Sequence, residues 1–244
     1  MDSASPSRYD DLSAVFLNTS LSADAAHSHT MRLMRRSAGI MRSQGVAVDM
    51  IHMREHFVGI GMVEDAGEQY GQRDEWPTIQ ERIFAADIFV LGTPIWLGAK
   101  SSVATLAIER MYAYSGEFND NGQWAYYGKT AGCVVTGNED GVKACARDVL
   151  YALQHIGYTI PPQADCGWIG EAGPGPSYGD VLDDREVPVG YDNEFTMRNT
   201  TFMSWNLMHT ARMLKDNGGL PAYGNVPSSW TDVPNATQQS PDPA

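Results

Sequence analysis

Three short stretches hold the residues best suited to bind a ligand. The first runs from Ser20-Leu21-Ser22 to Ser28-His29-Thr30 and brings four hydroxyls to the start of a helix-like pattern. Free backbone N–H groups and the helix dipole favour a phosphate at such a place. N-capping by Ser28 or Thr30 would explain the same hydroxyls. His29 and His27 would add charge beside an anion, although His27 also suits simple exposure to solvent. The second stretch, Thr93-Pro94-Ile95-Trp96-Leu97-Gly98, follows an apolar run. Its amides would hydrogen-bond the edge of a flat ring while Trp96 covers an apolar face, unless Trp96 packs into the core as lone aromatics usually do. The third, Thr136-Gly137-Asn138-Glu139-Asp140-Gly141, has two glycines that let backbone approach a ligand closely. An ordinary strand-to-helix turn has the same composition.

The chemistry implied is the holding of a phosphate and a planar ring. The first loop is neither GxxxxGK[ST] nor GxGxxG, so the triphosphate and dinucleotide fingerprints are absent. No catalytic residue is assigned: Tyr178 and Glu139 are the nearest candidates for a general acid, and Tyr178 is also a candidate substrate contact.

The elements that must position these loops follow from periodicity. Residues 13–18 form a short apolar run, a first strand. From Met31 the residues Met31, Met34, Ala38 and Met41 recur at helical spacing, and Gly45 stops that helix. Residues 46–51 are a second strand, so the chain opens β-loop-α-β, which implies a parallel sheet. Residues 54–75 read as a long loop. A helix opens at Trp76-Pro77, and Ile88-Phe89-Val90-Leu91 forms a third, buried strand that breaks at Gly92. A helix to about Tyr112, an excursion over 114–128, a fourth strand at 130–136, a helix from about 142 to 155 and a fifth strand at 164–169 follow. Residues 170–195 read as irregular, and Gly173-Pro174-Gly175-Pro176-Ser177-Tyr178 within them reads as a lid or subunit contact near the ligand, or else as a structureless connection. A last helix spans about 196–217. Residues 1–11 are expected as a disordered leader and 220–244 as an extended tail, flanking one domain over 12–219. Strands alternating with helices predict a doubly wound α/β fold, with the three loops at one rim.

Composition bounds the partners. The chain has 244 residues, 43% of them apolar, and a net charge of −13. That charge disfavours nucleic acid and anionic membrane surfaces. No apolar run reaches the roughly 18 residues needed to cross a membrane. The N-terminus lacks the basic and apolar regions of a secretory signal. Cys133, Cys145 and Cys166 are odd in number and widely spaced, which argues against disulfides and a CxxC metal site and fits a reducing cytoplasm.

With these residues in view, the chain resembles the flavodoxin-like NAD(P)H-dependent FMN reductase and quinone reductase families. Ala86-Asp87-Ile88-Phe89-Val90-Leu91-Gly92-Thr93-Pro94-Ile95-Trp96 is similar to their AD-x-x-x-x-G-T/S-P-x-Y signature, with Trp96 where Tyr is frequent. Ser20 to Thr30 resembles their phosphate loop, although it is longer and lacks the usual basic residue. The resemblance spans roughly 12–170. It implies a five-stranded parallel sheet of order 2-1-3-4-5, FMN as cofactor, and NADH or NADPH as electron donor. It places the phosphate on Ser20, Ser22, Ser28, His29 and Thr30, and the ring against Thr93–Gly98 and Thr136–Gly141. It implies a quinone or similar small acceptor and a homodimer or homotetramer; the cysteine cluster of the iron–sulfur flavoprotein relatives is missing, so no iron–sulfur centre is expected, and no other metal. A flavodoxin-type electron carrier, steered to protein partners by its acidic surface, is the alternative.

Overall fold

The apolar runs form strands of one sheet, and their period of two splits each run between two cores. The computed structural model describes residues 8–173 and 175–232. In order the elements are β1 (Ser13–Asn18), α1 (His29–Ser43), β2 (Ala47–His52), α2 (Gly67–Tyr70), α3 (Trp76–Ala85), β3 (Ile88–Trp96), β4 (Ala99–Lys100), α4 (Ser102–Tyr112), β5 (Thr130–Gly137), α5 (Val142–His155), β6 (Asp165–Ile169) and α6 (Glu194–Asp216). The parallel strands lie in the order β2-β1-β3-β5-β6, and β4 pairs with the end of β3. Apart from that two-residue strand, this is the expected 2-1-3-4-5 sheet.

Along β1, Phe16 joins the core shared with α1 and α6, while Val15 and Leu17 join the core shared with α3, α4 and α5. Along β3, Ile88 and Val90 face the first core, and Phe89 and Leu91 face the second. Both sheet faces are covered, which is why these strands read as continuous apolar runs. Helix α6 lies beside α1, where Ser37 Oγ and Ser204 Oγ meet at 2.7 Å.

Several expectations are corrected. Gly92 does not break β3; the strand continues to Trp96 and turns into β4 through Leu97 (φ 51°) and Gly98 (φ 75°). Thr93–Trp96 is therefore a rigid strand end, not a loop. Gly92 is small because Met34 of α1 packs against it: a Cβ there would overlap the Met34 sulfur. Gly92→Ala is expected to cost about 1–3 kcal/mol through overpacking, read as a fall in the urea midpoint with an unchanged slope. Residues 54–75 are tied down by a short 3₁₀ turn (Met53–Glu55), α2 and the Asp74 carboxylate, which accepts from the amides of Ala66 and Trp76. Of the expected leader, residues 1–7 lie outside the described residues. Tyr9 is buried and its hydroxyl meets His209 Nδ1 at 2.8 Å, so the packed chain starts before residue 12. In the tail, Pro227–Asp232 forms a 3₁₀ turn, and residues 233–244 lie outside the described residues. Among the described residues no helix is long and apolar enough to cross a membrane.

Candidate active site

The parallel strands aim their carboxyl ends at one rim. β1 has β2 on one side and β3 on the other, so the chain reverses direction across the sheet there. Ligands of open α/β sheets settle at this kind of crevice. A cleft of about 780 Å³ opens at that rim, within the range of small-molecule sites.

One end of the cleft is polar. Ser20, Leu21 and Ser22 line it from the loop after β1, and His29 and Thr30 line it from the first turn of α1. Ser28 is buried beneath them as the N-cap of α1, its Oγ accepting from the Met31 amide. Thr30 Oγ1 and Thr136 Oγ1, 2.8 Å apart, join α1 to β5 across the floor. The far wall comes from the β3–β4 turn and the loop after β5. Pro94, Ile95 and Trp96 line it, with Thr136, Gly137, Asn138 and Glu139 beside them, Pro94 pairing with Thr136 across the β3–β5 ladder. Trp96 is 52% exposed, so it faces the cleft and is not a core residue.

Five expected residues do not line the cleft. Ser28 caps the helix. Thr93 is buried, and its hydroxyl accepts from the Ser101 amide. Leu97 points into solvent at 94% exposure, and its amide donates to Glu139 Oε1 at 3.2 Å. Gly98 and Gly141 face each other: a Cβ on Gly141 would lie 2.9 Å from the Gly98 carbonyl oxygen. Their small size lets the two rim loops come together.

The irregular segment after β6 returns across the cleft as a strap. Asn138 Nδ2 donates to the carbonyls of Gly175 and Pro176 at 3.1 and 3.0 Å, and Ser177 Oγ donates to Asn138 Oδ1. His29 Nδ1 lies 3.0 Å from the Tyr178 carbonyl, which can only accept, so Nδ1 carries the proton. Asp180 accepts from Arg32 and lies 3.5 Å from the same His29 nitrogen. Tyr178 is 1% exposed and packs on Trp168 and Tyr191. Burial pushes its hydroxyl well above the ordinary tyrosine range, despite the nearby Arg36. It forms part of the cleft wall.

Sequence reasoning missed Trp168 and the hydrogen bonds that anchor the strap. Trp168 ends β6 at the same rim, a position that the strand pattern marks in principle. The Asn138 and Asp180 clamps join segments about 40 and 150 residues apart and leave no local signal. Among the described residues lining the cleft, His29 is the one side chain able to carry positive charge. The three cysteines are free and buried, and burial raises each thiol, Cys166 to about 12.

The model of the NADPH-dependent FMN reductase family matches residues 13–168, from the first residue of β1 almost to the end of β6. The chain belongs to the NADPH-dependent FMN reductase family. Membership implies FMN as cofactor, NAD(P)H as electron donor and oxidoreductase chemistry. The donor set fits FMN: hydroxyls and a histidine at a helix start suit its phosphate, and Ile95, Trp96 and Trp168 suit its ring. Within the family frame, the chain is 33% identical over 210 residues to 8-demethyl-8-aminoriboflavin-5'-phosphate synthase of Streptomyces davaonensis, covering 84% of this chain and 79% of that protein. The structure of RosB with bound 8-demethyl-8-formylriboflavin-5'-phosphate superposes with a TM-score of 0.77 at 31% identity, covering 92% of this chain and 88% of that one. The chain is also 51% identical over 243 residues to the divalent metal cation transporter MntH of Mycobacterium bovis. That match takes in 99% of this chain and 34% of the transporter, so the chain spans about a third of that relative.

Proposed function

We propose that the chain is an FMN-dependent NAD(P)H oxidoreductase that passes electrons to a quinone or similar small acceptor. The observation carrying this reading is one cleft with an anion-binding end at α1 and an apolar, aromatic end at β3 and β6. Ser20, Ser22, His29 and Thr30 would hold the phosphate, aided by the free amides of the first turn of α1. Ile95, Trp96, Gly137 and Trp168 would bound the ring. When bound, FMN supplies hydride acceptance and electron transfer. The residues supply binding and orientation: Gly137 keeps backbone close to the cleft, and the strap screens one side of it from water. A flavodoxin-type carrier has less use for such a strap, since electron transfer to a protein partner needs an approachable flavin edge.

Purified protein loaded with FMN should bleach near 450 nm on anaerobic addition of NADPH or NADH, and recover colour on addition of a quinone. Colour that survives excess reduced nicotinamide rules the reading out.

A second reading treats the flavin phosphate as substrate. The likeness to RosB, which takes in 92% of this chain against residues 13–168 for the family match, favours it. Mass spectrometry of FMN recovered after aerobic incubation separates the two: unchanged mass supports the oxidoreductase, and a mass change at the ring supports flavin modification.

A further inference from the structure

Among the described residues lining the cleft, Glu139 is the one carboxylate. It stands on the far wall, in the loop after β5, while His29 stands at the polar end. Its Oε1 accepts from the Leu97 amide at 3.2 Å. Leu97 holds a φ of 51°, uncommon for a bulky residue, and Gly98 and Gly141 let the two turns abut. The carboxylate is thus fixed beside the β3–β4 turn. Its Oε2 meets no hydrogen-bond donor or cation among the described residues.

Trp96 enters the same turn. It is half-exposed and lines the cleft. An indole face is negative by its quadrupole and is the best aromatic partner for a cation. A carboxylate adds a full charge of the same sign. The surroundings agree in sign. Residues 170–194, which hold the strap, carry seven carboxylates and one arginine. Asp180 is met by Arg32, and Asp192 by Arg185. Glu171, Asp183, Asp184 and Glu186 are exposed. Charges of one sign around a cleft raise the local concentration of ligands of the other sign.

We propose that Glu139 and Trp96 select the electron acceptor by charge: the cleft favours a planar heteroaromatic cation, of the phenazinium or pyridinium type, over a neutral ring and disfavours an anionic one. The inference rests on the oxidoreductase reading above. The balance closes without a further co-reactant. The reduced flavin gives up one hydride, two electrons with a proton, and returns to its oxidised form. The cation takes that hydride on ring carbon or nitrogen and becomes neutral, and no other proton is needed. The charge that Glu139 recognises is gone after the transfer, so the carboxylate holds the acceptor and not its product. Its loss should therefore raise KM for a cationic acceptor and leave kcat within about twofold. The dihydronicotinamide ring of the donor is neutral, so the carboxylate does not oppose it.

The test uses one ring system in three charge states: N-methylphenazinium, phenazine and phenazine-1-carboxylate. Each is titrated by calorimetry, without reductant, into the oxidised FMN-loaded chain and into Glu139→Gln and Trp96→Leu. Glutamine keeps an acceptor for the Leu97 amide, so the turn is preserved and only the charge is lost. The parent should bind the cation at least about tenfold more tightly than phenazine, and phenazine more tightly than the carboxylate. Glu139→Gln should weaken the cation by about five- to tenfold, leave phenazine within about twofold and improve the carboxylate by about threefold. Trp96→Leu should weaken both the cation and phenazine, the cation more. Reoxidation of the photoreduced, FMN-loaded protein by the cation should show the same loss in Glu139→Gln as a rise in the half-saturating concentration. Equal affinities for the three rings, or a cation preference that persists unchanged in Glu139→Gln, overturns the inference. That result leaves the oxidoreductase reading intact where NADPH or NADH still bleaches the flavin; a chain that binds no flavin overturns both.

Discussion

Arg110→Met should destabilise the fold by about 3–5 kcal/mol, the usual cost of stripping one partner from a buried ion pair. Arg110 on α4 is completely buried. Its guanidinium donates to Asp74 Oδ2 at 2.7 Å and to the carbonyls of Gly59 and Glu64 at 2.7 and 2.9 Å. Three points of the long β2–α3 connection are thus gathered on one cation. Methionine fills much of the volume and supplies no donor, so a carboxylate and two carbonyls lose their partner together. For a domain of this size that cost lowers the melting temperature by roughly 2–4 °C per kcal/mol, which calorimetry reads directly. Adding Asp74→Asn to Arg110→Met should recover part of the loss, since the second change removes the stranded charge.

The same carboxylate sets an acid limit. Burial alone would raise Asp74, but hydrogen bonds from the Ala66 amide, the Arg110 guanidinium and the Trp76 amide outweigh it and hold the group below its ordinary value. A depressed folded-state value means that the unfolded chain takes up the proton first. The stabilisation is complete above about pH 4 and is lost as pH falls through the folded value. Urea midpoints measured from pH 7 to pH 3 should fall more steeply for the parent chain than for Asp74→Asn.

How much of this was legible in the sequence depended on whether the signal was local. The run Ile88–Leu91 between polar flanks marked a buried strand, and the β-loop-α-β opening fixed parallel pairing. The hydroxyls before α1 marked one end of the cleft because helix starts impose their requirements within a few residues. Gly92 misled because a glycine that ends a strand and one that admits a methionine from a packed helix look alike in the chain. Thr93 and Gly141 were read as ligand contacts for a similar reason: small or hydroxylated residues near a site also serve to join its loops. The strap reads from sequence as a lid, a subunit contact or a structureless connection, and it is held by Asn138, His29, Arg32 and Asp180. Irregular backbone and unspecified structure are different things, and only the tertiary contacts tell them apart.

Gly190 gives the sharpest test of that distinction. It lies outside the family core, in a segment with no regular structure, and no local pattern singles it out. Its φ of 78° is in the left-handed region that glycine adopts freely. A Cβ there would stand 2.6 Å from both Trp168 Nε1 and Tyr178 Cδ2. Both rings line the cleft, and they pack edge to face on each other with centroids 5.8 Å apart. Tyr178 is also backed by Tyr191 at 5.2 Å, over which Arg36 sits. The added methyl must therefore move a ring that forms the cleft wall or pull the strap away from β6. Gly190→Ala should combine backbone strain of about 1–3 kcal/mol with overpacking of similar size. Displacing the aromatic wall should weaken FMN binding by at least about tenfold, measured by fluorescence titration, with a changed near-ultraviolet dichroism from Trp168 and Tyr178. A control at Gly71, which also has positive φ but would place its Cβ in open space away from the cleft, should show the strain without the loss of flavin. If Gly190→Ala binds FMN as the parent does, the strap does not shape the flavin site, and Trp168 and Tyr178 are packing residues alone.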